Sequence, residues 1–441
     1  MDNSIIQGFS KYTKQQRIDA LIRKYGFEPD LADWLGSFEA PDETIRKIIA
    51  DLSENPVSSF HLPFSIAPNF VVNEKNLFFP LVSEESSVVA ALANAAGFWA
   101  KRGGFHAEVL GTEKKGQLHF KWNGNPEYLQ SLFPEIKLKL RAESDFLTAK
   151  MEARGGGITH IELKSLPTIL PNYFQLDGGF ETCDAMGANF INSCLEQFGK
   201  SLQDYFLTSE KVSTGQRECE IIMAILSNYT PESRVRACVE CPVNKLVEGK
   251  TDADCLQFAE KFEQAIRISQ ADVSRAVTHN KGIFNGIDAL AVATGNDFRA
   301  IEACGHAFAA RNGRYSGLTD VLIQDGLFRF SIEIAMAVGV VGGVTAVHPL
   351  SKLAMRILDN PSASELMMYL AVAGLASNFG AIKALVSVGI QQGHMKMHLS
   401  NILNQLNIPE EKREEIQSYF HDKTVSFSTV EEYWKNLESS I

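Results

Sequence analysis

The chain has 441 residues, of which 45% are hydrophobic and 22% charged, so it is long enough for two or three domains and has the composition of a soluble globular protein. Its net charge of −11 argues against general binding to the phosphate backbone of nucleic acids. Seven cysteines without regular spacing favour reduced thiols. We therefore expect a cytoplasmic protein with no nucleic-acid partner.

The first 30 residues contain no long apolar run, so no secretory signal is expected. Residues 1 to about 55 place apolar side chains at helical spacing and predict three helices, the third opening at Asp42 and stopped by Pro56. The longest uncharged stretch, residues 366–382, falls short of the roughly 20 strongly apolar residues that cross a membrane. It predicts a buried helix, and no membrane partner is expected.

Residues 78–82 predict a strand, which a polar turn connects to an Ala-rich helix. The turn contains the adjacent carboxylates Glu84 and Glu85, followed by two serines. Such carboxylates often do no more than cap a helix. The functional alternative is a general acid whose pKa is raised by burial.

A more polar region follows, in which strands and helices alternate. The predicted elements are strands at 107–110, 118–122, 158–163 and 173–177 and a helix at 126–154. This mixture predicts a small α+β domain inserted in the chain. No G-x-G-x-x-G motif is present, but the segment from Asp184 to Asn189 joins a strand to an amphipathic helix. Its glycine and free helix N–H groups suit a pyrophosphate, and a plain capped helix is the alternative.

One lysine and one carboxylate flank a mostly apolar segment in the second half of the chain. Lys281 comes before the segment 287–294, and Asp297 comes after it. We expect polar turns at 279–280 and 295–296, which would present both charges in one site. The alternatives are a buried ion pair or two unrelated loop charges.

Two short patterns resemble metal sites but lack the full ligand set. Cys238 and Cys241 form a single C-x-x-C pair, whereas structural zinc needs four ligands. His394 and His398 stand one helical turn apart, but Met395 replaces the glutamate of a zinc-protease motif. No metal is expected, and His394 is more usefully interpreted as a proton donor or as a surface residue. The last 50 residues predict a peripheral helical subdomain.

The motifs together resemble one known family. They are Glu84-Glu85-Ser86-Ser87, Asp184-Ala185-Met186-Gly187-Ala188-Asn189, Thr278-His279-Asn280-Lys281-Gly282, Gly295-Asn296-Asp297 and Gly393-His394-Met395. Their order is similar to that in hydroxymethylglutaryl-CoA reductases of the soluble bacterial, class II form. The resemblance covers most of the chain. It departs from the family at residues 54–58, where Glu-Asn-Pro-Val-Ser replaces the usual E-N-V-I-G that is associated with subunit contact.

The resemblance implies an α+β fold in three parts. Residues 1–108 and 225–387 would form a large mixed α/β domain that binds CoA and substrate. Residues 109–224 would form a small ferredoxin-like domain for NAD(P), and residues 388–441 a C-terminal helical flap. The family forms homodimers or assemblies of dimers with active sites at subunit interfaces.

The resemblance also implies the chemistry, which is the interconversion of hydroxymethylglutaryl-CoA with mevalonate and CoA by two hydride transfers. Lys281 matches the lysine that stabilises the oxyanion. Glu85 matches the proton donor, and Asp297 would sit between the two and tune both. His394 would protonate the departing CoA thiolate.

The remaining implied contacts concern substrate and cofactor. Arg275 matches the residue that pairs with the substrate carboxylate. Further substrate contacts are Ser87, Asn285 and Asn378. Cofactor contacts are Asp184, Met186, Gly187, Ala188, Asn189 and Asn228. Asp145 is the acidic residue best placed to favour the ribose hydroxyl of NAD(H) over the phosphate of NADP(H), so we expect NAD(H) to be preferred. Two rival classes are a CoA-ester enzyme without redox chemistry and a catalytically silent CoA- or nucleotide-binding protein.

Overall fold

A computed structural model of the protein describes residues 6–387, 399, 402–420, 423 and 425–438. The strands, in chain order, are β1 (Phe64–Val72), β2 (Lys75–Val82), β3 (His106–Val109), β4 (Lys114–Trp122), β5 (Gly157–Ser165), β6 (Tyr173–Glu181), β7 (Cys219–Ser227), β8 (Arg234–Pro242), β9 (Thr319–Gln324) and β10 (Leu327–Ala335). Every strand pairing within the three sheets is antiparallel, and the architecture is α+β, as predicted.

The helices surround these sheets. They are α1 (Lys14–Tyr25), α2 (Leu31–Gly36), α3 (Glu43–Ala50), α4 (Ser86–Ala100), α5 (Pro126–Ala142), α6 (Asp145–Glu152), α7 (Ala188–Thr208), α8 (Asp252–Ala271), α9 (Val273–Ala293), α10 (Phe298–Ala309), α11 (Gly343–Val347), α12 (Pro349–Ile357), α13 (Ala363–Val386), α14 (Glu410–Tyr419) and α15 (Phe427–Glu438). Asp42 caps α3 through Ile45 N, which confirms the predicted start of that helix.

The largest hydrophobic core contains the β1–β2 hairpin and the sheet with strand order β3-β8-β10-β9. Its central helices are α9 and α13, which approach closely because glycines face the contact. A Cβ on Gly286 would lie 2.3 Å from the Ala373 carbonyl oxygen, and one on Gly374 would lie 2.9 Å from side-chain carbons of Ile283 and Ile287. Such contacts leave no room for a side chain, so the two helices are held in one register.

A second core belongs to the segment between β3 and β8. Its elements follow in the order β4, α5, α6, β5, β6, α7, β7, and its sheet has the strand order β5-β6-β4-β7. Aromatic side chains fill the space between sheet and helices, including the buried Phe120, Phe174 and Phe198. This segment therefore buries its own apolar surface, as expected of an inserted domain.

Helix α13 is the helix in the described part of the chain that is long and apolar enough to cross a membrane. It lies in the largest core, and 67% of its most apolar window is buried inside the protein. The prediction of a buried helix at 366–382 is confirmed. A third, small core near the C-terminus includes the buried residues Leu399, Leu403 and Ile416, in keeping with a helical subdomain.

Two local expectations were wrong. Residues 279–280 form no turn, because α9 runs without a break from Val273 to Ala293 and buries both side chains. Residues 126–154 form two helices, α5 and α6, instead of one, with the boundary at Glu143 and Ser144. The turn at Gly295 is confirmed, with a φ of +73° that favours glycine.

Candidate active site

Lys281 and Glu85 meet at an exposed position, although 196 residues separate them in the chain. The Lys281 Nζ lies 2.9 Å from Glu85 Oε2, and the two side chains remain 62% and 41% exposed. Glu85 occupies the N-cap position of α4, yet its carboxylate does not cap that helix. Ser87 instead donates its hydroxyl to Glu85 Oε1 at 3.1 Å. The carboxylate is thus held between a hydroxyl and an ammonium that a substrate can reach.

The backbone around Lys281 is fixed by the neighbouring helix. Ser377 Oγ donates to the Gly282 carbonyl at 2.7 Å, and Asn378 Nδ2 donates to the His279 carbonyl at 3.2 Å. Asn378 is 1% exposed, so in this chain it holds α9 in place and its side chain is closed to solvent. His279 shares its Nε2 with Thr319, and burial lowers the pKa of the imidazole to about 3. It is therefore neutral and structural.

Asn285 and Asp288 follow Lys281 on the same face of α9, one and two turns further on. Both are half-buried. Burial, reinforced by the carboxylates of Glu302 and Glu84, raises the pKa of Asp288 to about 8. Burial thus favours the neutral form of Asp288 on the face beside Lys281. Arg275 lies in the first turn of the same helix and is also half-buried.

Asp297 lies at the opposite end of α9 from Arg275. It caps α10 by accepting from Ala300 N at 3.2 Å, and Arg299 Nε lies 3.4 Å from the same oxygen. Asn296 N donates to the Ala291 carbonyl, ten residues beyond Lys281, which corresponds to about 15 Å along the helix axis. Within the described residues no ion pair joins Asp297 to Lys281, so one chain does not bring these predicted residues together.

The segment from Thr182 to Gly187 forms a tight loop at the start of α7. Gly187 has a φ of +97°, and a Cβ there would lie 2.5 Å from Thr182 Cγ2. Among the described residues no side chain caps the first turn of α7, which leaves its N–H groups available for an anion. Met186, Ala188 and Asn189 lie in or next to this turn. The residues present therefore fit a dinucleotide pyrophosphate.

The same loop is attached to the larger core. The Asp184 carboxylate accepts from Ala363 N at 2.8 Å, and its carbonyl accepts from Val340 N at 2.9 Å. Gly339 lies so close that a Cβ would be 2.4 Å from Met186 N. Asp184 thus uses its carboxylate to hold the loop in place.

Sequence reasoning missed the residues that connect this loop to Asp297. Gly339 N donates to Asn296 Oδ1 at 3.0 Å, and Asn296 Nδ2 donates to Thr294 Oγ1 at 3.2 Å. A chain of contacts thus runs from Met186 through Gly339 to the residue next to Asp297. The signal in the sequence is the glycine- and valine-rich run at 339–343.

The other predicted cofactor residues lie on the inserted segment. Asn228 is exposed and directly follows β7, whose last residue Ser227 pairs with Lys115. Asp145 is exposed in the first turn of α6. The far end of that helix reaches the loop, because Met151 contacts Gly156 and the carbonyl of Arg154 accepts from Cys183 Sγ at 3.4 Å.

His394 and His398 lie outside the described residues. Cys238 and Cys241 both lie on β8, and burial raises the pKa of each thiol. In the described ranges no group of three or more His, Cys, Asp or Glu side chains is arranged to hold a metal ion.

Comparison with known proteins shows the family of this chain. The family model described as hydroxymethylglutaryl-coenzyme A reductase matches residues 17–399. The chain belongs to this family. The reductase of Archaeoglobus fulgidus is 34% identical over 401 residues, which cover 91% of this chain and 87% of that protein. A probable reductase of Borreliella burgdorferi is 34% identical over 81% of this chain and 78% of its own length.

Solved structures of Streptococcus pneumoniae reductases have the same fold. A class II enzyme bound to NADPH in open conformations is 35% identical, with a TM-score of 0.71, and the match covers 86% of this chain and 99% of that one. A second structure is 34% identical with a TM-score of 0.72 and covers 98% and 99%. The protein is accordingly an NAD(P)-dependent oxidoreductase with hydroxymethylglutaryl-CoA reductase activity, which belongs to mevalonate and isoprenoid metabolism.

Proposed function

We propose that the exposed pair of Lys281 and Glu85 is the reaction centre at which the thioester of hydroxymethylglutaryl-CoA is reduced. The contact of 2.9 Å between Lys281 Nζ and Glu85 Oε2 carries the assignment, because it sets a fixed cation beside a proton source. A nicotinamide held by the loop from Thr182 to Gly187 would supply the hydride. The test is oxidation of NADH or NADPH on addition of hydroxymethylglutaryl-CoA and, separately, of free mevaldehyde.

In this assignment Lys281 stabilises negative charge on the substrate oxygen at both reductive steps. The first reduction gives a hemithioacetal, which collapses to an aldehyde and a CoA thiolate. The second reduction gives the alcohol, and Glu85 donates the proton that the new alkoxide needs. Ser87 orients Glu85 through its hydrogen bond of 3.1 Å.

The acid group of the substrate would be bound by Arg275, and Asn285 would add a polar contact. Both lie on α9, and Asn285 stands one turn from Lys281 on the same face. Asn378 acts indirectly, because its buried amide holds the His279 carbonyl and so fixes the helix that carries Lys281. Asn378 is therefore a positioning residue in this proposal.

A homodimer would complete the catalytic set. Asp297 follows Asn296, whose N–H bonds to the Ala291 carbonyl about 15 Å along α9 from Lys281. Helical side chains lean towards the N-terminus, so Lys281 points away from Asp297. In a two-fold dimer the Asp297 carboxylate of one subunit is free to approach the Lys281–Glu85 pair of the other. The loop that carries Asp297 also contacts the loop from Thr182 to Gly187 through Asn296 and Gly339. One subunit would therefore bring both loops to the Lys281–Glu85 pair of the other subunit.

The domain assignment follows the separate hydrophobic cores. The segment with sheet order β5-β6-β4-β7 has the split βαβ arrangement of a ferredoxin-like domain. We assign NAD(P) binding to this segment. The boundary expected at 224/225 falls within β7, so we place it after Ser227. The third core supports a C-terminal helical domain from about residue 388, which we propose acts as a flap over bound CoA. We assign the protein to the cytoplasm.

We expect NADH to be preferred over NADPH, because Asp145 would favour a ribose hydroxyl over a phosphate. The value of kcat/KM should be higher with NADH than with NADPH, and Asp145→Ala should reduce the ratio of the two values. Arg154→Ala is the matched comparison, because Arg154 follows the end of α6 opposite to Asp145 and its carbonyl contacts Cys183. If the enzyme prefers NADPH and Arg154→Ala abolishes that preference, Arg154 is the residue that distinguishes the ribose phosphate of NADPH from the ribose hydroxyl of NADH.

His394→Gln should cripple reduction of the thioester and largely spare reduction of free mevaldehyde. An imidazolium with a pKa of about 6.5 is able to protonate a thiolate whose conjugate acid has a pKa of about 8.5. Only the thioester reaction releases a thiolate, so the effect should be confined to that substrate. The pH profile of thioester reduction should also lose a limb near the histidine pKa.

His398→Gln is the matched control for His394, since it lies one helical turn away in the predicted pattern. It should leave both reactions near the wild-type rate. Equal loss on both substrates in His394→Gln, with the circular dichroism spectrum unchanged, would remove the thiolate-specific role from His394.

A further inference from the structure

Lys114 is a buried lysine behind the loop from Thr182 to Gly187. It is 4% exposed, and its Nζ donates to Thr182 Oγ1 at 2.6 Å and reaches the Ala185 carbonyl at 3.4 Å. Within the described residues no carboxylate oxygen lies within 4.0 Å of this ammonium. The charge therefore has two neutral oxygens as its closest partners.

A buried ammonium without a counter-ion is costly, because desolvation disfavours the charged form. Burial accordingly lowers the pKa of Lys114, and the more distant groups of Glu181, Cys183 and Asp184 oppose this effect. Methionine or leucine would fill the same space at lower cost. An anion bound nearby would offset the desolvation cost of the Lys114 ammonium.

The first turn of α7 lies directly in front of Lys114. Thr182 accepts from Lys114 through Oγ1, and its Cγ2 lies 2.5 Å from the position of a Cβ on Gly187. One side chain thus separates the ammonium from the N-terminus of a helix of 21 residues whose first amides carry no side-chain cap. Both the helix dipole and the ammonium place positive potential at the same point.

We propose that Lys114 is a positioning residue for the cofactor, supplying the fixed positive charge that, with the N-terminus of α7, binds the pyrophosphate of the nicotinamide dinucleotide. This inference rests on the proposed assignment of the loop to NAD(P). The charge acts through Thr182, which lies between Lys114 and the rest of the loop, so it affects the binding of both NADH and NADPH. Coenzyme A also contains a pyrophosphate, but in the proposed function it binds to the large domain.

The first test compares Lys114→Met with Lys115→Met. Neighbouring strand residues point to opposite faces, so Lys115 matches Lys114 in charge and size but faces away from the loop. Titration of intrinsic fluorescence with NADH, NADPH and CoA gives the three dissociation constants. Lys114→Met should raise the constants for both dinucleotides about tenfold and leave that for CoA unchanged, whereas Lys115→Met should change none.

A pH series separates an electrostatic role from a structural one. The acidic groups of Glu181, Cys183 and Asp184 raise the pKa of Lys114, and Arg154 lowers that of Cys183. An anion prefers the protonated amine, so wild-type affinity for NADH should fall as pH rises through the lowered pKa of Lys114. Lys114→Met should lose that decline while its thermal unfolding stays cooperative. Persistence of the same decline in Lys114→Met would overturn the proposal.

Gly187→Val distinguishes this inference from the assignment of the loop itself, because its side chain would collide with Thr182. If Gly187→Val weakens NADH binding and Lys114→Met does not, the role of Lys114 is wrong and the loop assignment stands. If folded Gly187→Val binds NADH as the wild type does, the loop is not the dinucleotide site and both proposals fail.

Discussion

Lys281→Ala is expected to lower kcat for both hydroxymethylglutaryl-CoA and mevaldehyde by at least about 10²–10³-fold, the usual effect of removing one oxyanion-stabilising group. Both steps develop negative charge on the same oxygen, so both should be affected. The ammonium is 62% exposed and is free to meet a substrate as well as Glu85. Steady-state oxidation of NADH or NADPH with each substrate measures the two losses separately.

Two variants control this experiment. Lys261→Ala removes an exposed lysine on the neighbouring helix α8 and should leave both activities unchanged. Lys281→Arg keeps the charge but changes its shape, so it should retain more activity than alanine. Mevaldehyde turnover near the wild-type rate in folded Lys281→Ala would move the oxyanion role to another residue.

The second large effect is recovery of activity from two inactive variants. Lys281→Ala and Asp297→Asn should each be nearly inactive as homodimers. In a heterodimer of the two, one site combines both lesions and the other has Lys281 from one chain and Asp297 from its partner, so about half of the wild-type activity should return. The prediction follows from the separation of about 15 Å between these residues along α9.

Heterodimers are obtained by co-expressing the two variants with different affinity tags and purifying on both. Asparagine is used at position 297 because it preserves the cap of α10, whose Ala300 N now bonds to Asp297. A heterodimer of Lys281→Ala with Glu85→Gln is the matched control. Lys281 and Glu85 of each site come from the same chain, so each site of this heterodimer carries one lesion and the control should stay inactive. An inactive Lys281–Asp297 heterodimer would place the two residues in the site of a single subunit.

The sequence predicted which residues to examine better than it predicted where they lie. The resemblance placed Asp297 between Glu85 and Lys281, whereas the structure brings Glu85 and Lys281 into direct contact at 2.9 Å. The strand, polar turn and Ala-rich helix around Glu85 are confirmed, because alternation and helical spacing are strong local signals. The buried helix at 366–382 is also confirmed, because a long uncharged stretch is typical of a helix that is apolar on all sides.

The polar character of His279 and Asn280 explains the failed turn prediction. Both side chains are buried in α9 and bond across the core, His279 to Thr319 and Asn280 to Ser316 and Leu318. Polar residues satisfied by tertiary partners look the same in sequence as polar residues in a loop. Asp297 follows Lys281 by sixteen positions, which would make the two neighbours only if a turn intervened, and an unbroken helix occupies most of that interval.

The pairing of distant strands was beyond local reasoning. Strand β8 lies between β3, about 130 residues earlier in the chain, and β10, about 90 residues later, and no turn or periodicity records that arrangement. The contact made by the Asn296 side chain was not predicted for a related reason. Its amide matters because Gly339 is near, and that proximity is a property of the fold.

The attachment of the loop from Thr182 to Gly187 has a practical consequence for engineering this enzyme. Asp184 is bonded to Val340 and Ala363, and Met186 lies against Gly339, all outside the inserted segment. A chimaera that exchanges only the inserted segment for that of a relative would therefore carry a loop shaped for foreign neighbours. Grafts intended to switch nicotinamide use should transplant positions 339–340 and 363 together with the insert.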